Sequence, residues 1–413
     1  MTQSGTAPAE DIDAEKVWEA ANALRQDITE FMMDVVSIPS LSMQEGDVIK
    51  RIEREMVHVG FDEVKIDAMG NCLGRIGHGK TVILMDAHID TVDVGDPAEW
   101  KNNPPYPATL NDGVIYGRGA ADQKGGIVGL VYGAKLIKQL ALEGDFTVWV
   151  LASTLEEDSD GIALLHVIET EGIKPDYCLV TDSTDMNLYR GQRGRMEISI
   201  TIKGRSCHGS APERGDNAVT KAAPIVLDID QLNHRLSNDD FLGKGTICVS
   251  KIECKTPSLC AVPGEATVYC DRRLTIGETP EGALDEIRGL ESVKKAGAVV
   301  EMLQYKATCW NGYEIGQEKF YPSWVVEEDH PLVQTGVECA RLSKKTQSEK
   351  AGRWIFSTNG VACCGRLGIP TIGFGPGAEA DAHTVNEKCS VDDLVTAATF
   401  YAMFPRMLVK AIQ

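Results

Sequence analysis

Residues 81–93, TVILMDAHIDTVD, close an apolar run with one imidazole and three carboxylates, Asp86, His88, Asp90 and Asp93. An imidazole with a carboxylate two residues on is a donor pair that divalent metal ions take. His88 could ligate such an ion while Asp90 holds its other ring nitrogen. Alone, the pair reads more simply as a surface histidine among acids. Four further stretches carry similar groups. GRGAADQKGG places Asp122 just before a helical pattern, where by itself it reads as an amino-terminal cap. TLEEDSDG sets Glu156 and Glu157 directly after an apolar strand pattern, and adjacent carboxylates repel unless they share a cation or a proton. YCLVTD ends in Asp182, and FGPGAEADAHTVNE carries His383 and Glu387. A ligand-type residue recurring at segment after segment is hard to obtain by chance.

The elements that must position these groups follow from the apolar spacing. Val82 to Met85 is continuous and aliphatic, the pattern of a strand buried on both faces of a largely parallel sheet. Alternation along that strand points Asp86, His88 and Asp90 the same way, at the carboxyl end where open α/β sheets bind ligands. The chain before it predicts a helix over 14–36 that ends ahead of Pro39, a helix over 46–59 and a strand pair within 63–76. After it come a helix over 125–142, a strand over 146–153, a helix over 161–172 and a strand over 177–182. This alternation predicts a layered, mostly parallel α/β sheet. From about Arg195 the pattern changes: strand 196–203, helix 216–236, strands 245–254 and 266–275, helix 280–296 opened by Thr279 and Pro280, strand 299–305. That β, α, β, β, α, β order is ferredoxin-like. It is expected as a domain, 194–304, inserted into a catalytic domain made of 1–193 and 305–413. The α/β pattern resumes with a helix over 327–342, a short helix over 359–367, a strand over 370–374 and a helix over 391–411, while residues 1–12 read as a flexible tail.

The 413 residues suffice for a sizeable core, and no apolar run approaches the roughly 20 residues that span a bilayer. A formal net charge of −20 argues against nucleic acid or an anionic membrane as partner. The amino-terminal segment lacks a secretory pattern, so the cytoplasm is the expected location. Twelve cysteines without a CxxC pair, several such as Cys178, Cys248 and Cys270 inside apolar runs, read as reduced core residues.

Taken in order, HID at His88–Asp90, GRGAADQKGG, the Glu156–Glu157 pair, Asp182 and AHTVNE resemble the two-metal amidohydrolases that include carboxypeptidase G, acetylornithine deacetylase, succinyl-diaminopimelate desuccinylase and aminoacylase. The resemblance covers nearly the whole chain. EEDSDG, CHGSAPERGDNA and FSTNG are most similar to the bacterial branch of selenium-metabolism-linked hydrolases. The resemblance implies that Asp122 bridges two zinc ions, with cobalt or manganese admissible in a site of imidazoles and carboxylates. One ion would also take Glu157 and His383, the other His88 and Asp182, with Asp90 orienting His88. Two dications lower the pKa of a bridging water and polarise a carbonyl, which leaves Glu156 as the general base. It further implies that His208, in the CHGSAPERGDNAV lid segment, reaches across a homodimer to an oxyanion, that Asn217 and Arg273 grip a substrate carboxylate or carbonyl, and that the glycines around Gly375 bring backbone amides to the substrate. Alternation sends Arg272 to the face opposite Arg273. Three departures stand out: Asp182 where deacylase members mostly carry Glu and several di- and tripeptidases carry Asp, Cys260 in CAVP where Asn is usual, and the DSDG tail after the glutamate pair.

Rival readings are weaker. GRIGHGKT at residues 74–81 fits a phosphate-binding loop letter for letter, but a β-branched run follows Lys80 where a helix is required. GFGPG follows a strand, yet Pro376 and the absence of a helix straight after it argue against a dinucleotide site. A catalytically dead binding or assembly protein is disfavoured because every expected ligand and Glu156 are kept. The expectation is therefore an amide hydrolase acting on an N-acyl amino acid, with a di- or tripeptidase as the alternative.

Overall fold

The computed structural model describes residues 12–343 and 350–413; apart from Ile12, the expected tail lies outside the described residues. A nine-stranded sheet forms the larger layer. Its strands run in the order Glu63–Ile66, Cys72–Gly77, Phe146–Ser153, Thr81–His88, Tyr177–Val180, Thr371–Gly373, Tyr189–Gln192 and Trp324–Val325, with Gly352–Trp354 also pairing Tyr189–Gln192. The four strands at its centre, from Phe146–Ser153 to Thr371–Gly373, are mutually parallel and the outer pairings are mostly antiparallel.

The continuous apolar run works as expected, because alternate side chains feed two different cores. Ile83 and Met85 pack with Val128, Val131 and Phe400 from helices Lys124–Gln139 and Val391–Ile412. Leu84 faces the other way, with Leu151, Leu164 and Cys178 against helix Ile162–Glu169. Full burial of each such side chain contributes roughly 1.5–3 kcal/mol. Helices Lys124–Gln139 and Val391–Ile412 approach closely: a Cβ at Gly129 would come within 2.8 Å of the Tyr401 ring.

Residues 194–302 build a second, antiparallel sheet in the order Thr246–Lys255, Glu265–Leu274, Gly194–Lys203, Val299–Met302, joined by Phe320–Tyr321 beside Gly194–Lys203. Helices Ala218–Asn233, Pro280–Arg288 and Glu291–Ala296 cover it over a separate core that includes Ile198, Ile200, Ile225, Val268 and Ile287. This is the ferredoxin-like unit, hereafter the lid.

Several expected elements differ in detail. The helix over 14–36 is two, Ala14–Ala23 and Arg25–Ser37, because Leu24 adopts ψ 7 and turns its amide back to Ala21. The helix over 280–296 breaks at Gly289 and Leu290. The strand over 299–305 also divides. Val299–Met302 closes the lid sheet, whereas Gln304–Thr308 forms a hairpin with Glu314–Glu318. The short helix over 359–367 is a π-helical turn, Val361–Arg366. GRIGHGKT runs from strand Cys72–Gly77 through a turn into Thr81–His88, so no phosphate-loop helix follows it. All twelve thiols are free. Cys178 and Cys270 are buried, but Cys248 is exposed, because Thr246–Lys255 is the edge strand of the lid. Among the described residues no helix is long and apolar enough to cross a membrane.

Candidate active site and metal centre

Register brings the chemical groups to one level. His88 lies opposite Ser153, Asp86 opposite Val180, and Val180 opposite Gly373. The chain therefore leaves four adjacent parallel strands at one level, after His88, at the turn carrying Glu156 and Glu157, at Asp182 and at Gly375. Asp90 ties the first two exits together. Its Oδ1 accepts the Glu156 amide and its Oδ2 the Glu157 amide, both at 3.1 Å, while Ser42 Oγ donates to Oδ2 at 2.7 Å. His88 Nδ1 sits 3.2 Å from the Asp90 carbonyl and 3.6 Å from its carboxylate. Asp90 thus orients both the imidazole and the glutamate turn.

Asp122 arrives from the opposite side on the loop before helix Lys124–Gln139. It does not cap that helix, whose N-cap is Gln123. The loop is held by Glu387, a fully buried carboxylate. Glu387 Oε1 accepts the amides of Ala121 at 3.0 Å and Asp122 at 2.8 Å, and Oε2 pairs with Arg118 Nη1 at 2.7 Å. With its backbone fixed, the Asp122 carboxylate points one oxygen at each histidine: Oδ1 lies 3.1 Å from His88 Nε2 and Oδ2 lies 3.1 Å from His383 Nε2. His383 Nε2 also approaches Glu157 Oε2 at 3.1 Å.

The result is two trios that share Asp122. His88, Asp122 and Asp182 offer ligand atoms within 4.8 Å of one another, and so do Asp122, Glu157 and His383. Glu156 stands beside them, its Oε2 3.9 Å from His88 Nε2. The electrostatics are those of a site short of positive charge. Burial, reinforced by Asp122, pushes the Asp182 carboxyl well above its ordinary value and Glu157 up to about 7. Burial also raises Glu156, against the pull of His88. Burial alone would raise Asp122, but the two histidines outweigh it and hold this carboxyl well below the usual range. Hydrogen bonds to Asp122 and Glu157 push His383 up to about 10.

These residues fit a pair of divalent ions. The donors are imidazoles and carboxylates without thiolate, and His88 Nε2 is buried and makes no hydrogen bond although Asp122 is 3.1 Å away. An imidazole nitrogen and carboxylate oxygens that converge within 4.8 Å of one another are the arrangement a shared cation satisfies. A third trio, Asp67, His166 and Glu171, differs. Its carboxylates are already engaged, Asp67 by the amides of Gly70 and Asn71 and Glu171 by Lys65.

The other expected site residues do not join the trios. His208 is on the lid, its Nδ1 2.7 Å from Ser210 Oγ. Asn217 caps helix Ala218–Asn233, its Oδ1 accepting the amides of Val219 and Thr220. Arg273 pairs with Asp271 through Nε at 2.8 Å and Nη2 at 2.9 Å. Arg272, on the opposite face, is buried against Glu278 and Glu286. Gly375 donates its amide to Thr184 Oγ1 at 3.0 Å, and a Cβ there would fall 1.8 Å from the Thr181 carbonyl. Packing against the neighbouring strand exit thus accounts for this glycine, and its amide is already taken. Sequence reasoning missed Arg118 and the anchoring role of Glu387, though both sit inside motifs it singled out. It also missed Asn71, whose Oδ1 accepts the Thr154 amide and hydroxyl just ahead of the glutamate pair.

With this geometry in view, the comparisons with known proteins agree. The pattern described as Peptidase family M20/M25/M40 matches residues 84–406. The chain belongs to that family, and it is a hydrolase acting on amide or peptide bonds. It is 49% identical over 397 residues to the uncharacterised protein YgeY of Escherichia coli strain K12, covering 96% of this chain and 98% of that one. It is 26% identical over 382 residues to a succinyl-diaminopimelate desuccinylase of Bordetella petrii, covering 89% and 94%. The fold superposes on Bacillus subtilis YXEP, a dinuclear metal binding peptidase of the M20 family, with a TM-score of 0.69 at 15% identity, over 95% of this chain and 99% of that one.

Proposed function

We propose that the chain is a two-metal hydrolase that cleaves the amide bond of an N-acyl amino acid, with Glu156 as its general base. The observation that carries this reading is the pair of trios sharing Asp122, with Glu156 beside them and no thiolate among the donors. Asp122 would bridge the two ions, Glu157 and His383 completing one set and His88 and Asp182 the other. Zinc suits these donors, with cobalt or manganese as substitutes. Bound ions would supply Lewis acidity at the substrate carbonyl and lower the pKa of the attacking water. The chain's own part is positional and acid–base. Asp90 fixes the His88 ring and, through two amide hydrogen bonds, the turn that presents Glu156. Glu156 takes the proton of the attacking water and passes it to the departing nitrogen, so both product fragments leave in stable form. No nucleophilic side chain is required.

In the same proposal the catalytic unit is 1–193 with 305–413, and 194–304 is the inserted lid and dimerisation domain. His208 then acts on the oxyanion after lid closure or from the other subunit of a homodimer, and Asn217 and Arg273 hold the substrate carboxylate. A di- or tripeptidase is the second reading. It is favoured by Asp182, which stands where the resemblance places Asp in several di- and tripeptidase members.

Metal content by mass spectrometry, on protein purified without chelator, tests the proposal when joined to a screen of N-acyl amino acids and dipeptides. The expected result is about two ions per chain, hydrolysis lost on stripping and regained with zinc or cobalt, and a Glu156→Gln variant that keeps its metal but loses roughly 10²–10⁴ in rate. Absent metal together with no hydrolysis after zinc or cobalt is added overturns it.

A further inference from the structure

The Glu156 side chain approaches His88 only at 3.9 Å, so its position is set by the turn beneath it. That turn is compact: the Ser159 amide donates to the carbonyls of Leu155 and Glu156, both at 3.0 Å. Its far end is the DSDG departure noted above, and the lid and the segment returning from it hold that end from several directions. Arg195, in the first lid strand, pairs through Nη2 with Asp160 Oδ1 at 2.9 Å, and Asp160 is 3% exposed. The Arg195 guanidinium lies 4.5 Å over the ring of Tyr321, whose hydroxyl is 3.1 Å from Ser159 Oγ. Gln317 Nε2 donates to Ser159 Oγ at 2.7 Å and to the Asp160 carbonyl at 3.0 Å. Tyr321 itself pairs with Arg195 in the lid sheet, so strand, ring and ion pair form one connected joint.

From this joint we infer that Asp160 and Arg195 are positioning residues, through which the lid sets the placement of the general base. The inference rests on the reading of Glu156 given above. Three features favour a positioning role over simple adhesion. First, the pair links the root of the lid, one residue into its first strand, to a turn that begins with the base. Second, a buried ion pair is a poor way to gain stability, since its desolvation offsets most of its attraction. Third, the pair is imperfectly satisfied: Asp160 Oδ2 and Arg195 Nε have no hydrogen-bond partner. A packed apolar pair would hold the two units as well, but it would not fix the direction of the turn. Lid closure as proposed above would turn the strand that carries Arg195, and the joint would pass that turn to residues 156–160. The substrate-dependent position of the lid thus becomes a substrate-dependent position of the base.

The experiment compares four proteins: wild type, Asp160→Asn, Arg195→Met, and the double variant Asp160→Leu/Arg195→Met, which replaces the ion pair with apolar side chains. Each is measured for melting temperature, metal content, kcat and KM on the best substrate from the screen. Breaking one partner is expected to lower both stability and kcat. The double variant is expected to regain the melting temperature while kcat stays about 10- to 100-fold down, as a misplacement of about an ångström produces, with KM and metal content unchanged. A double variant that regains kcat along with stability overturns the inference, and so do single variants with wild-type kcat. Glu156→Gln, assayed alongside, separates the two levels: if it retains activity, the assignment of the base has failed, whatever the joint does.

Discussion

The rim of the parallel sheet and the lid both carry residues of the expected site, and they are built differently. At the rim, strand exits in fixed register and one anchored loop bring five ligand-type side chains together, with a tie to the lid at the far end of the glutamate turn. On the lid, His208, Asn217 and Arg273 are each satisfied by a near neighbour in sequence, Ser210, a helix amide and Asp271. Rim geometry is therefore complete without substrate. Under the proposed function, the lid side chains would reach the substrate by movement or from a second subunit, and their local partners would hold them until then. The proposal thus assigns preorganised electrostatics to the first region and gating to the second.

The sharpest way to break this contrast is to loosen the rim from behind. Arg118→Met leaves Glu387 as a buried carboxylate without its ion pair, although Glu387 alone anchors the amides of Ala121 and Asp122. Loss of one partner of such a pair costs about 3–5 kcal/mol. Urea denaturation should show a loss of that size, with weakened metal retention, and an unchanged midpoint would mean the rim is not held as described. The lid should respond in the opposite manner. His208→Ala should leave the melting temperature and metal content as they are, because the ring is exposed and its hydrogen bonds are to Ser210 in its own turn. It should lower kcat by roughly 10²–10³, the worth of one oxyanion donor. A wild-type kcat would remove His208 from the reaction, and a fall in metal content would place it at the rim.

The same contrast governs what the sequence could reveal. The rim was legible because its chemistry follows short-range rules. A continuous apolar strand, a carboxylate or imidazole at strand ends and register along parallel neighbours account for His88, Glu157 and Asp182, whereas Asp122 and His383 stand on loops that only the order of the motifs singled out. The supports were not legible. Arg118 and Glu387 are 269 residues apart, and nothing local distinguishes their buried ion pair from two surface charges. The break at Leu24 has neither Pro nor Gly to announce it, and the hairpin Gln304–Thr308 with Glu314–Glu318 takes residues whose alternation suits the lid sheet equally well. Alternation did place Arg272 and Arg273 on opposite faces. It could not tell that Asp271, on the same face as Arg273, would be the partner of that guanidinium.

A pH effect tests how dry the rim is from below. Glu45 is fully buried; its Oε1 accepts the amides of Met43 and Leu155 and its Oε2 has no partner. Burial, then the nearby charge of Asp90, pushes its carboxyl up to about 8. An acid raised in the folded state favours folding fully below its unfolded value, near 4.3, and loses that contribution as pH rises through the folded value. Wild-type stability should therefore fall on this account between about pH 4 and about pH 8. Glu45→Gln keeps a carbonyl for both amides and cannot ionise. Its stability relative to wild type should be flat below about pH 4 and rise to a plateau above about pH 8, by up to about 5 kcal/mol. Metal ligands titrate alike in both proteins, so the difference between the two denaturation curves isolates Glu45. Curves that stay parallel from pH 5 to pH 8.5 would show that water or a neighbouring cation reaches Glu45, and that the floor of the rim is wetter than its packing suggests.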